Sequence, residues 1–202
     1  MSLQIKKEDG VVYDPVFLKI LEDIPGGVTI RTKDSRIPTT IKEIKKGALL
    51  HADTTSLGLY DVIKSVRAIH PGVSGATILY VEPIDHLFKA GEYIFLQEAT
   101  ASTITRVSPT AIAIEEALLA TGGQIASGAI LYETSTAGTA TALYGADAVL
   151  RDTIEIRKVG VETLLANIFA GAVVRGTVDE SETPYFASDP DKLNLTARIR
   201  FA

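Results

Sequence analysis

The side chains able to do chemistry in this sequence are few, and their spacing limits what each can do. The histidines are His51, His70 and His86, which follow no metal-ligand periodicity. A zinc or iron centre needs three or four ligands converging on one point, so these residues point to turns and partly exposed positions. Carboxylates cluster at Glu115-Glu116 and in Asp179-Glu180-Ser181-Glu182. Paired acids hydrolyse a glycosidic bond when they flank it at about 5 to 9 Å, but nothing in the pattern sets these two clusters opposite each other. The acidic loop also lacks the alternating ligands and the glycine of a calcium loop. Ser74 lies in Gly72-Val73-Ser74-Gly75, which misses the spacing of a Gly-x-Ser-x-Gly elbow. Neither Gly122-Gly123 nor Gly171 leads into the Gly-Lys-Ser/Thr of a phosphate loop. The reading is of a protein that is not an enzyme, with no cofactor and no metal site.

Composition narrows the classes further. The chain has 202 residues, enough for one good core or two small ones, and no cysteine, which removes disulfides and thiolate chemistry. Tryptophan is absent and aromatics are sparse, against a protein that stacks on bases or sugar rings. The formal net charge is −5 and it is uneven. Residues 1–46 hold nine Lys/Arg against seven Asp/Glu, and the remainder eleven against eighteen, an asymmetry that can mark an interaction arm. An acidic body without a basic stripe predicts no nucleic-acid binding. No apolar run is long enough to cross a bilayer, and Met1 to Asp9 lack the apolar region of a secretory signal. Synthesis in a cytoplasm and no membrane partner are expected.

The elements that would position these residues are mostly strands. Three stretches begin alike: Gly47-Ala48-Leu49-Leu50, Gly91-Glu92-Tyr93-Ile94 and Gly128-Ala129-Ile130-Leu131. Each runs to a small polar tip (residues 54–56, 100–103 and 134–136) and then resumes with apolar residues, the pattern of strand, turn, strand. Ala76 to Val81, stopped by Glu82-Pro83, suits a buried strand, and Ala170 to Val178 reads as a strand bracketed by glycines. Thr153 to Arg157 alternates. Glu115 to Ala120 has helical propensity but is short. In Leu193, Leu195, Ala197, Ile199 and Phe201 the alternation predicts one long terminal strand. Residues 184–191 read as an ordered loop packing Tyr185 and Phe186.

Residues 1–46 differ in character. Asp14 as N-cap and Pro15 at the first helical position would start a short helix with Phe17, Leu18 and Leu21 on one face, ended by Pro25-Gly26-Gly27. The segment is either an arm around a neighbour or the first strands of the body. In the arm reading, Phe17, Leu18 and Leu21 are the partner-binding anchors.

The order of the pieces carries a resemblance. Asp85 to Ile94, then Ala101 to Val107, then Ala126 to Glu133 are followed by Val174-Arg175-Gly176-Thr177-Val178 and by Ile199-Arg200-Phe201. Over residues 47–202 the chain resembles head-decoration and head-fibre proteins of tailed bacteriophages and prophages. The resemblance implies a mainly β protein with a small β-barrel or β-tulip-like body, an extended N-terminal segment and little helix. By analogy it divides the chain into a capsid-contacting arm (1–46) and a decoration body (47–202). It also implies a homotrimer on the outer surface of the virion head, bound to the lattice of the major capsid protein. An alternative is a host-surface or carbohydrate-binding module of a head fibre, which needs an exposed aromatic platform; Tyr132, Tyr144 and Tyr185 are the set that would supply it. A hydrolase domain would need convergent acids that the pattern does not supply.

Overall fold

The computed structural model describes residues 16–32, 36–71, 75–83, 86–96, 100–118, 125–137, 142–156, 158–159, 163–164, 167–183, 186–187, 189–195 and 198–202. In chain order the strands are β1 (Phe17–Asp23), β2 (Val28–Ile30), β3 (Glu43–Ile44), β4 (Leu49–Ala52), β5 (Leu59–Val62) and β6 (Ser65–Arg67). There follow β7 (Ile78–Tyr80), β8 (Tyr93–Leu96), β9 (Ser102–Ser108), β10 (Ala111–Ile114), β11 (Ile130–Thr134) and β12 (Ala148–Leu150). Then come β13 (Ile154–Glu155), β14 (Lys158–Val159), β15 (Thr163–Leu164), β16 (Ile168–Ala170), β17 (Ala172–Val178), the helix α1 (Asp189–Leu195) and β18 (Ile199–Phe201). The protein is mainly β, as the sequence predicts.

Residues 65–134 build a barrel. Its strands run in the order β6-β11-β8-β9-β10-β7. An antiparallel bridge between Ala68 and Val81 joins the last strand to the first, with Ile69 N–H on the Tyr80 carbonyl (3.0 Å) and Glu82 N–H on the Arg67 carbonyl (2.9 Å). Closure removes the edges that an open sheet leaves unpaired. Val66, Leu79, Val81, Phe88, Ile94, Ile104, Ile112, Leu118 and Leu131 fill the interior.

The chain on either side of the barrel makes the second body, a sheet in the order β1-β17-β12-β4-β5-β2-β16, with β18 also on β17. Its centre is buried on both faces. Ile30, Leu50, Val62, Ala148 and Leu150 pack on one side with Ile37, Ile41, Ile44 and Ile154. Leu49 and Val149 face the other side, covered by Val16, Ala187, Leu195 and Ile199. β3 and β13 pair as a separate ribbon, as do β14 and β15.

The three glycine-led units share one device. Gly47, Gly91 and Gly128 have φ of 86°, 88° and 86°, and each donates its N–H to a neighbouring strand, at Leu150, Ile104 and Ala68. A left-handed turn residue there suits glycine because a Cβ would strain it. The first two units are hairpins, β4 with β5 and β8 with β9. The third is not. β11 is flanked by β6 and β8, so neither of its sides is left for the returning chain, whose described residues meet it through the Leu143 N–H to Glu133 carbonyl bond.

Several expectations are corrected. The segment Phe17–Asp23 is a strand on β17, not a helix: a helix of two turns is marginal alone, whereas β17 offers a ladder. Pro25-Gly26-Gly27 turns the chain from β1 to β2, with Gly27 N–H on the Ile24 carbonyl. Residue 46 is not a boundary, because β1, β2 and β3 all pair with later strands and Val28, Ile30 and Ile44 are core. Asp14 and Pro15 lie outside the described residues. β7 is half-buried: Leu79 points inward while Ile78 and Tyr80 are each 52% exposed. The long terminal strand divides into α1, with Pro190 in its first turn where a missing N–H costs nothing, and β18, parallel to β17. Glu115 to Leu118 is not helical, and Leu118 plugs the barrel. Phe186 is buried beneath the Arg67 guanidinium, 4.0 Å from its ring centre, while Tyr185 lies outside the described residues.

Candidate partner-binding surface

The histidines sit in separate settings. His51 stacks on Tyr144 (4.7 Å between centroids), with Nδ1 2.9 Å from the Gly145 carbonyl and 3.1 Å from Asp147 Oδ2. His70 packs edge-on to Tyr80, and buried His86 has Nε2 3.0 Å from the Ser108 carbonyl. Among the described residues no three His, Cys, Asp or Glu side chains gather as metal ligands. No described helix is long and apolar enough to cross a membrane. Glu115 and Glu116 close the end of β10 on the barrel, whereas Asp179 to Glu182 leave β17 on the other body. The two acidic clusters are thus placed on different bodies.

The densest polar constellation was not singled out in the sequence. It is a chain of charges across the junction of the two bodies: Asp53, Arg31, Asp61, Arg36, Glu133, Lys64 and Glu92. Arg31 Nε and Arg36 Nε both lie 3.5 Å from Asp61 Oδ1. Arg36 Nη2 donates to Glu133 Oε2 at 2.8 Å, and its Nη1 to the Tyr144 hydroxyl at 3.0 Å. Lys64, 1% exposed, is 3.8 Å from Glu133 and hydrogen-bonded to Glu92, while Arg31 is bonded to Asp53 at the outer end. Burial raises the Glu133 carboxyl above its ordinary value against the pull of Lys64 and Arg36. Burial likewise lowers the Lys64 ammonium against Glu133 and Glu92. Perturbed acids and bases mark many active sites, but these are sealed inside the junction. The network joins β5 of the sheet to β11 and the entry of β8 in the barrel. The signal for it was a charge inside an apolar run: Asp61 and Lys64 between Leu59 and Val66, and Glu133 after Ile130-Leu131-Tyr132.

A cleft of about 430 Å³ opens between residues 38–41 of the sheet body and the barrel around His86, Phe88, Lys89, Ser108 and Pro109. Among the described residues no carboxylate lines it.

The surface that stands out is the β1 edge. Of the three anchors expected there, Phe17 packs on the core, while Leu18 and Leu21 are 52% and 56% exposed. The register explains this. Phe17 pairs with Val178 and Lys19 with Thr177; Ile20 pairs with Gly176 and Glu22 with Arg175. Leu18 and Leu21 are the extra residues of two β-bulges, which turn them out of the ladder. Ile20 is exposed beside them, and β1 ends the sheet. Of the tyrosines expected to form an aromatic platform, Tyr185 lies outside the described residues and the other two do not face solvent together. Tyr132 is buried against Phe95, and Tyr144 is held between His51 and Arg36.

Compared with known proteins, the chain matches no family model, no curated protein and no solved structure.

Proposed function

We propose that this protein is a non-enzymatic structural subunit that binds the outside of an assembled phage capsid and stabilises it. The observation that carries the reading is the bulged β1 edge, with Leu18, Ile20 and Leu21 presented to solvent on a body whose central charges are in ion pairs with one another. Exposed apolar edge strands are a hazard unless something covers them. A decoration subunit is such a case, because its partner surface exists only on the assembled lattice. Binding to that lattice alone stabilises it by mass action, and trimerisation would multiply the effect through avidity. On this reading the protein belongs on the virion surface and is made in the host cytoplasm.

Co-sedimentation with expanded heads assembled from the major capsid protein of the same genome tests this. Saturable binding to heads but not to unassembled shell subunits is expected, with loss of binding in the Leu18→Asp/Leu21→Asp double variant. Absence of binding by the wild-type protein overturns the reading, and a glycan screen then tests adhesion.

A further inference from the structure

We infer that the sheet face beside this edge is a receptor for a carboxylate-rich polypeptide surface, recognised by Arg175, Arg198 and Arg200. The inference rests on reading the β1 edge as a contact surface and names the chemistry of what it contacts.

Apart from Arg106 on the barrel, the described arginines fall into two groups. Arg31, Arg36, Arg67 and Arg151 are each in an ion pair. Arg175, Arg198 and Arg200 are exposed and have no ion pair among the described residues, and the same holds for Lys19. The sheet brings these four together. β18 runs parallel to β17 with Gly176 opposite Ile199 and Thr177 opposite Arg200, which sets Arg198 beside Arg175. Gly176 N–H on the Arg198 carbonyl (3.0 Å) fixes that register. On the other flank Lys19 lies opposite Thr177 and Glu22 opposite Arg175. Arg175, Thr177 and Arg200 therefore share a face with Lys19.

The face also has a recess. β12 pairs with β17 at Ala172 and Val173, and β18 pairs with it from Gly176 onward, so Val174 and Arg175 fall between the two partners. A depression of about 460 Å³ opens there, lined by Glu22, Val174, Arg175 and Arg198. Neighbouring strands are about 4.8 Å apart and alternate residues about 6.6 Å apart, so the guanidinium groups stand within reach of carboxylates on successive outward positions of one extended segment. Guanidinium forks take carboxylates in a bidentate way. Glu22 inside the cluster and the net charge of −5 weaken the pull on any polyanion, so the face suits a few spaced carboxylates better than the dense charge of a continuous phosphate chain. The adjoining Leu18 and Leu21 supply the apolar contact that a polypeptide partner uses.

The test uses the intact protein without heads, so its failure is separable from failure of capsid binding. A fluorescently labelled peptide of alternating glutamate and serine is titrated in low salt, and a labelled oligothymidylate of equal charge is titrated in parallel. Saturable peptide binding is expected, weakened about tenfold in Arg175→Ser/Arg198→Ser and unchanged in Arg106→Ser, an exposed arginine on the barrel that has no described ion pair. Thermal unfolding of the variants checks that folding is intact. The inference is overturned if the wild-type protein does not bind the peptide, if Arg106→Ser weakens binding equally, or if the oligonucleotide binds more tightly.

Discussion

The junction between the two bodies and the β1 edge hold similar charges and treat them in opposite ways. At the junction, three cations (Arg31, Arg36 and Lys64) are threaded between four carboxylates in a line whose middle members, Asp61, Glu133 and Lys64, are buried. At the edge, Lys19, Arg175, Arg198 and Arg200 face solvent with no ion pair among the described residues, next to exposed leucines. Buried charges must find partners within the fold because an unpaired one is severely penalised. Exposed charges need none, and a cluster left unpaired beside apolar residues is available to a second molecule. The same chain thus separates a region that fixes its shape from a region free to make contacts.

The comparison breaks most visibly at Lys64. Lys64→Met leaves Glu92 without its cation and buried Glu133 with Arg36 alone, and is expected to destabilise the protein by about 3–5 kcal/mol, read by urea denaturation. A loss below about 1 kcal/mol would mean that the junction does not hold the bodies together. The pH dependence sharpens the point. Because burial holds the folded Glu133 carboxyl above its ordinary 4.5, the folded state binds more protons than the unfolded chain between 4.5 and that raised value. Its contribution is therefore fully present below 4.5 and lost as pH rises through the window. Glu133→Gln should abolish that slope in denaturation curves taken across the pH range.

Gly176→Ala acts on the other region. Its Cβ would lie 2.4 Å from the Lys19 carbonyl oxygen, which is backbone and cannot swing aside. The expected cost is about 1–3 kcal/mol, with β1 loosened and the barrel unchanged in amide spectra. Leu18→Ser/Leu21→Ser should change stability by less than about 0.5 kcal/mol while abolishing head binding, since bulge residues exposed to solvent contribute little to the core. The smallest effect is local. Hydrogen bonds from the Thr55 hydroxyl and N–H, with Arg31, hold the Asp53 carboxyl at about 2, so Asp53 favours the fold above 3.8 and ceases to as pH falls through 2. Thr55→Val should move its midpoint back toward 3.8 in a carboxylate NMR titration.

Much of the fold was legible because β periodicity and turn glycines are local signals. Gly47, Gly91 and Gly128 mark strand entries, and the alternation of Ile154, Glu155 and Ile156 is seen as expected. Pairing was not legible, since it depends on which edges remain free. That is why the third glycine unit makes no hairpin and why the barrel closes through Ala68 and Val81. Leu18 and Leu21 were expected on one face of a short helix with Phe17; two bulges on a strand expose them instead, and bulges leave no periodic trace in the sequence. The basic face escaped notice because Arg175 lies far in sequence from Arg198 and Arg200, and only the parallel pairing of β17 with β18 unites them. The charged junction is likewise non-local, although Lys64 within an apolar run was its visible trace.

Hydrogen exchange on the protein, free and bound to expanded heads, tests the division between the two regions most directly. Slowed exchange confined to β1, β17 and β18 on binding, with β5, β6 and β11 equally protected in both states, is the result expected. Protection gained at the barrel instead, with β1 unchanged, would contradict it.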